Sequence, residues 1–323
     1  MTEFPAEYDS PWKAGLEEYF QQFVEFCFPR IYPNIDWSRG YESMDKELEQ
    51  VVRDAELGKR LADKLFKVWL ADGTQAWILI HVEVQGQYES DFAERLYVYN
   101  YRCFDRFRKP VITLVVLGDE SKTWRSSSYK YDFYGFKLRL KFPIVKLLKY
   151  ESKWKNLEQS TNPFAVMIMA HLKTKATKDD MEQRRQWKWV LVRGLYERGY
   201  NKEDILELFR LVDWMMTLPE ELQETFEEEL EDYQEKNKMP ILSQIETRAM
   251  RRGRELGTQQ GALDKAREWV LRILEVRFQK VPEAIADRIN SIDDVAFLDE
   301  LLSQAVMTPS LEEFEKLLIS EPN

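Results

Sequence analysis

The sequence predicts an α/β chain: a mixed sheet flanked by helices over residues 8–155, followed by an all-α region that runs to the C-terminus. Three observations predict it. Residues 61–87 read as strand, tight turn and strand. Residues 111–117 (VITLVVL) form a continuous apolar run of the kind buried on both faces of a parallel sheet. Beyond residue 155 the apolar residues recur at three- and four-residue steps, without the two-residue step of strands.

The elements follow in order. Trp12, Leu16, Tyr19, Phe20, Phe23, Val24 and Phe28 recur with helical period, and Pro29 or Pro33 bounds that helix. Residues 41–57 are polar and charged, fitting short helices or a loop. After the hairpin, Ser90-Asp91 can cap a helix running to about Phe107, with Phe92, Leu96, Tyr99 and Cys103 on one stripe. The strand 111–117 follows Pro110, and 129–134 reads as another. Phe136, Leu138, Leu140 and Phe142 alternate with Lys137, Arg139 and Lys141, which predicts a half-exposed strand with a basic outer face. Helices are expected over 162–173, 179–198, 202–216 and 219–233. The segment 244–261, punctuated by Gly253, Gly257 and Gly261, reads as a charged linker or weak helix. A small helical domain over 262–320 closes the chain, with an amphipathic helix at 266–278 and short helices at 282–289 and 295–302. The expected division is therefore 8–155, a helical region 156–243, the linker, and 262–320.

Composition limits the function classes. The chain has 323 residues, 44% of them hydrophobic and 13% aromatic, enough for a sizeable core. Cys27 and Cys103 lie in apolar-aromatic segments and read as buried thiols of a reducing compartment. The N-terminus is acidic and polar, and no apolar run approaches the roughly 18 residues of a membrane span. A cytoplasmic protein with no membrane partner is expected. The net charge of −10 argues against a general nucleic-acid coating role, yet the charge is uneven. Residues 122–155 hold ten Lys or Arg against Asp132 and Glu151, whereas 219–235 hold nine acidic residues and no Lys or Arg.

Two histidines, His81 and His171, leave little material for zinc clusters or histidine relays. No glycine-rich phosphate loop is present. The hairpin does offer paired acids. A two-residue loop at Asp72-Gly73 would pair Asp63 with Val82, on the face opposite to Glu83. A three-residue loop would put Asp63 opposite Glu83. The hydrophobic pattern favours the second register, because Phe66, Val68 and Leu70 then share a face with Ile78, Ile80, Val82 and Val84. Asp63, Lys67, His81, Glu83 and Gln85 take the other face, which is expected to point away from the main core. Two carboxylates and a backbone carbonyl make an oxygen-rich site suited to Mg²⁺ or Mn²⁺.

These residues carry a resemblance. An Asp, a hairpin-sized gap and Glu-x-Gln or Glu-x-Lys, set between a leading and a following helix, resemble the PD-(D/E)xK nuclease pattern. RLADKLFKV at 60–68, IHVEVQGQ at 80–87 and ERLYVYNYR at 94–102 resemble its Rpn branch, the recombination-promoting, transposase-associated nucleases. The C-terminal residues resemble the helical domain that follows such nuclease domains in cyanobacterial proteins.

The resemblance implies a restriction-endonuclease-like fold and a Mg²⁺- or Mn²⁺-dependent DNA endonuclease, linked to recombination or transposition. It implies Asp63, Glu83 and the Val84 carbonyl as metal ligands and Gln85 beside them in the catalytic set. Gln85 stands where the superfamily pattern has lysine. Glutamine is neither cation nor base and can only hydrogen-bond water or phosphate. The leading-helix acid would be Glu17 or Glu18, with Glu17 preferred. Arg95, Tyr99, Arg102 and Lys67 are the candidate DNA or phosphate contacts. The plainer readings are a solvated strand end for Asp63 and Glu83, salt bridges for Arg95 and Arg102, and core packing for Tyr97, Tyr99 and Tyr101. The alternative function is a catalytically silent DNA- or protein-binding module on the same fold. The C-terminal helices are a candidate homo-oligomer contact.

Overall fold

A computed structural model describes residues 9–48, 62–83, 91–237 and most of 263–319. It divides into two compact units, residues 1–241 and 242–323.

The first unit opens with helices α1 (Asp9–Glu18) and α2 (Phe20–Cys27). The single helix expected here breaks at Tyr19, whose backbone leaves the helical region at φ −123°, ψ 36°. The apolar stripe survives the break: Trp12, Leu16, Phe20, Phe23 and Val24 are fully buried.

A five-stranded mixed sheet follows, in the order β1-β2-β3-β4-β7. Its strands are β1 (Glu42–Ser43), β2 (Ala62–Trp69), β3 (Gln75–Glu83), β4 (Val111–Leu117) and β7 (Ile144–Lys146). β1, β2 and β3 pair antiparallel. Helix α3 (Phe92–Phe107) crosses over from β3 to the parallel strand β4, and β7 adds parallel to β4. Between β4 and β7, strands β5 (Ser128–Phe133) and β6 (Phe136–Lys141) form a separate two-stranded ribbon.

Both faces of the sheet are covered. On one, Phe66 stacks on Phe20 with ring centroids 4.0 Å apart, and Phe66 and Val68 are fully buried. On the other lies α3. Leu65 joins Leu48, Tyr99 and Cys103 in one apolar cluster, and Val115 and Leu117 join Phe92, Leu96 and Phe142 in another. Asn100 fixes the crossover by donating to the Val111 carbonyl and to Thr113 Oγ1, each at 3.0 Å. The face expected to point away from the core is therefore an interior face.

The helical region is part of the same unit. It comprises α4 (Trp154–Gln159), α5 (Pro163–Ala176), α6 (Met181–Glu197), α7 (Lys202–Met215) and α8 (Glu220–Asn237). Asn162 caps α5 by accepting from Phe164 N–H, and its Nδ2 donates to the Gln22 carbonyl of α2. Eleven of the fourteen residues of α5 are buried, as an apolar helix surrounded on all sides requires. A Cβ on Gly15 would lie 2.4 Å from Met167 Sδ, so α1 and α5 approach closely only because residue 15 has no side chain.

The second unit is helical. Residues 269–274, α9 (Glu283–Asn290), α10 (Val295–Met307) and α11 (Leu311–Ile319) enclose a core that includes Val270, Leu274, Ile289, Leu298 and Phe314. The last helix was not among the expected elements, and the linker expected at 244–261 lies outside the described residues. Among the described residues no helix is long and apolar enough to cross a membrane.

Candidate active site

The β2–β3 ladder sets the geometry. Asp63 pairs with His81, Leu65 with Leu79 and Trp69 with Gln75. Leu70 N–H donates to the Thr74 carbonyl at 2.8 Å, which leaves Ala71, Asp72 and Gly73 as a three-residue loop. Asp72 Oδ1 accepts from Thr74 N–H at 2.8 Å, and Gly73 takes the left-handed backbone, φ 85°, that a side chain resists. The expected loop length and the expected division of faces hold. The centre of the turn does not: the expectation placed Asp63 opposite Glu83, but the register lies two residues away and puts Asp63 opposite His81.

Parity is unchanged by a two-residue shift, so positions 63, 81 and 83 share one face. Position 83 is diagonal to 63, about 7–8 Å away along the sheet. Val84 and Gln85 lie outside the described residues, as do the side chains of Asp63, His81 and Glu83. The parallel ladder extends this face, because Glu83 is level with Leu117 and Leu117 with Lys146.

Helix α3 brings Arg95 to the same end. Arg95 is 7% exposed, and its guanidinium carbon lies 5.7 Å from the Phe92 ring centroid. Its helix neighbours Phe92 and Leu96 pack on Val115 and Leu117, the β4 residues level with His81 and Glu83. A buried guanidinium needs negative partners, and this end of the sheet carries two acidic positions. Arg95 is thus an interior cation of α3, where the sequence suggested a surface phosphate contact.

Other expected residues are placed differently. Tyr99 is 1% exposed within the Leu48–Leu65–Cys103 cluster, so it packs and does not present a phosphate contact. Arg102 is half-buried on α3. Lys67 is held by Glu42 at 2.9 Å and lies 5.1 Å from the Trp69 ring centroid, toward the far end of β2. Glu17 accepts from Lys64 at 3.2 Å. Lys64 follows Asp63 by one position on the strand, so Lys64 and its partner Glu17 stand on the side of the sheet opposite to the Asp63 face. Lys64 is itself 7% exposed and also bonded to Asp45 at 2.5 Å.

The sequence reading missed one ionic pair on the site face. Lys146 and Asp119 are 3% and 2% exposed and bonded to each other. Lys146 is two strands from Glu83, about 10 Å at sheet spacing, and is engaged by Asp119. It braces the sheet edge. Nothing local in the sequence joins residue 119 to 146; the parallel pairing of β4 and β7 does.

Among the described residues no group of three or more His, Cys, Asp or Glu is placed to hold a metal ion. The ladder places two acidic positions one diagonal step apart on one face of the sheet. Comparison of the chain with protein-family models, with curated proteins and with solved structures finds no match.

Proposed function

We propose that the chain is a metal-dependent DNA endonuclease with a restriction-endonuclease-like fold, resembling the Rpn branch of the PD-(D/E)xK nucleases. The observation that carries this reading is the register that brings Asp63 and Glu83 to one face of the sheet. The leading helix α1, the hairpin and the following helix α3 occur in the order of the pattern, which supports the same fold.

Asp63, Glu83 and the Val84 carbonyl would hold Mg²⁺ or Mn²⁺. Such an ion, when bound, polarises a phosphodiester and lowers the pKa of a water. The chain's own groups do the rest. The two carboxylates fix where the phosphate is presented. Gln85 would hydrogen-bond the attacking water or a phosphate oxygen. Arg95 offsets the carboxylate charge from the interior side and thereby lets an anionic substrate approach.

A binding module without catalysis is the second reading, and two observations favour it: glutamine at residue 85, and the packing of α3 over the site face. Plasmid cleavage separates the two. Supercoiled DNA incubated with the full chain and Mg²⁺ or Mn²⁺ should be nicked or linearised, and Asp63→Ala and Glu83→Ala should each lose that activity. Binding without cutting in either metal would favour the module, and cleavage that persists in both variants would remove the site.

A further inference from the structure

The β5–β6 ribbon has two unlike faces. Tyr129, Tyr131 and Phe133 of β5 stand across from Leu140, Leu138 and Phe136 of β6, all on one side. Lys130 pairs with Arg139 and Asp132 with Lys137 on the other. The aromatic side begins on α3, where Tyr97 stacks on Tyr129 at 5.1 Å, and continues through Tyr129–Tyr131 at 5.8 Å to Tyr131–Phe136, stacked at 5.7 Å. At its base this ladder is half-buried. At its tip it is open: Phe133 and Phe136 are 63% and 59% exposed.

The tip residue gives a second observation. Tyr134 and Gly135 form the two-residue turn, with φ 49° and 91°. Both positive values belong to a turn that favours Asn-Gly, and a tyrosine there is sterically disfavoured. Tyr134 is fully exposed, so nothing in the fold offsets that strain. An aromatic kept at a strained, solvent-facing tip points to a task outside the fold.

We propose that the ribbon is a stacking platform for single-stranded DNA, with bases on Phe133, Tyr134 and Phe136 and the phosphates running along the ribbon edges, toward Lys130 and Arg139 of the opposite face. Exposed rings in series on a two-stranded ribbon whose other face is basic suit an unpaired strand: every base offers a π-face, and the phosphates supply the charge match. A duplex hides its base faces and would leave the rings unused. The ribbon lies in the stretch where the sequence concentrates Lys and Arg, on an otherwise acidic chain. The inference deepens the nuclease reading by naming the form of its substrate, and it rests on that reading only for DNA as the nucleic acid.

The test is fluorescence anisotropy in EDTA, with the full chain, labelled oligo(dT), a duplex of equal length and oligo(U). The wild type should bind oligo(dT) more tightly than the duplex and at least as tightly as oligo(U). Phe133→Ala/Phe136→Ala should bind oligo(dT) at least about ten-fold more weakly, as loss of base stacking implies. Tyr134→Asn relieves the turn, so it should keep or raise the melting temperature while weakening binding several-fold. Equal affinity for duplex, preference for oligo(U), or unchanged binding in the aromatic variants would overturn the proposal. So would wild-type self-association, seen by sedimentation, that the same variants abolish, because the rings would then serve a second copy of the chain. Single-strand binding without cleavage in Mg²⁺ or Mn²⁺ would sink the nuclease reading and leave the platform standing.

Discussion

Asp63 stands directly across from His81 in the β2–β3 ladder, which leaves Glu83 one diagonal step away on the same face. The pair of acidic positions therefore belongs to one surface through strand parity, and does so without facing each other. In the proposed nuclease reading, residue 85 is the position from which a cation would best reach charge developing on a phosphate.

Gln85→Lys should accordingly raise single-turnover cleavage, by about ten-fold or more if the charge reaches the phosphate as an oriented cation does. Rates on a linear substrate at saturating Mg²⁺ measure it. An unchanged or lower rate would mean that glutamine is the better group in this site.

Glu17→Gln should leave cleavage unchanged, because Glu17 is tied to Lys64 on the far side of the sheet. Its side chain is 65% exposed, so the stability change should also be small, below about 1 kcal/mol. Lys64→Met should cost more, about 1–2 kcal/mol, since the lysine serves both Glu17 and Asp45. Cleavage rates and urea midpoints of the two variants check both statements.

Lys188 is fully buried in α6 and bonds Asp213 of α7 at 2.5 Å and Gln223 of α8 at 2.8 Å. Lys188→Met removes the cation paired with Asp213, 6% exposed, and should destabilise the first unit by about 3–5 kcal/mol. Adding Asp213→Leu should recover most of that loss. Denaturant unfolding followed by tryptophan fluorescence distinguishes recovery from a further loss.

His171 of α5 should make the fold acid-sensitive. Burial, and then the Lys175 charge, pull its pKa down to about 3, against an ordinary value of 6.5, although its bond to the Gly118 carbonyl opposes the shift. The unfolded chain takes up the proton first as pH falls. This group therefore costs nothing above pH 6.5 and costs about 1.4 kcal/mol of stability per pH unit between about 6.5 and 3. His171→Gln should show a shallower loss of stability across that window, measured as urea midpoints at several pH values.

The division of the hairpin into two faces was legible because strand parity and apolar alternation agree. The centre of its turn was not. Asp72-Gly73 marks a turn, but whether the third loop residue precedes or follows that pair depends on the Leu70–Thr74 bond and on Asp72 accepting from Thr74. The covering of the site face by α3 had a signal that was passed over. Leu65, Trp77 and Leu79 are apolar at positions that share the face of Asp63, the mark of a strand buried on both sides. Tyr99 was misplaced for the same reason. The pairings of Lys64 with Asp45, and of Lys146 with Asp119, join distant segments and leave no local pattern to read.

The central claim is that Asp63 and Glu83 hold one cation between them. Calorimetric titration of the full chain with Mn²⁺ tests it most directly. The account predicts one site in the wild type that is lost in Asp63→Ala and equally in Glu83→Ala, with the far-ultraviolet circular dichroism of both variants unchanged. Wild-type affinity for Mn²⁺ in either folded variant would contradict it.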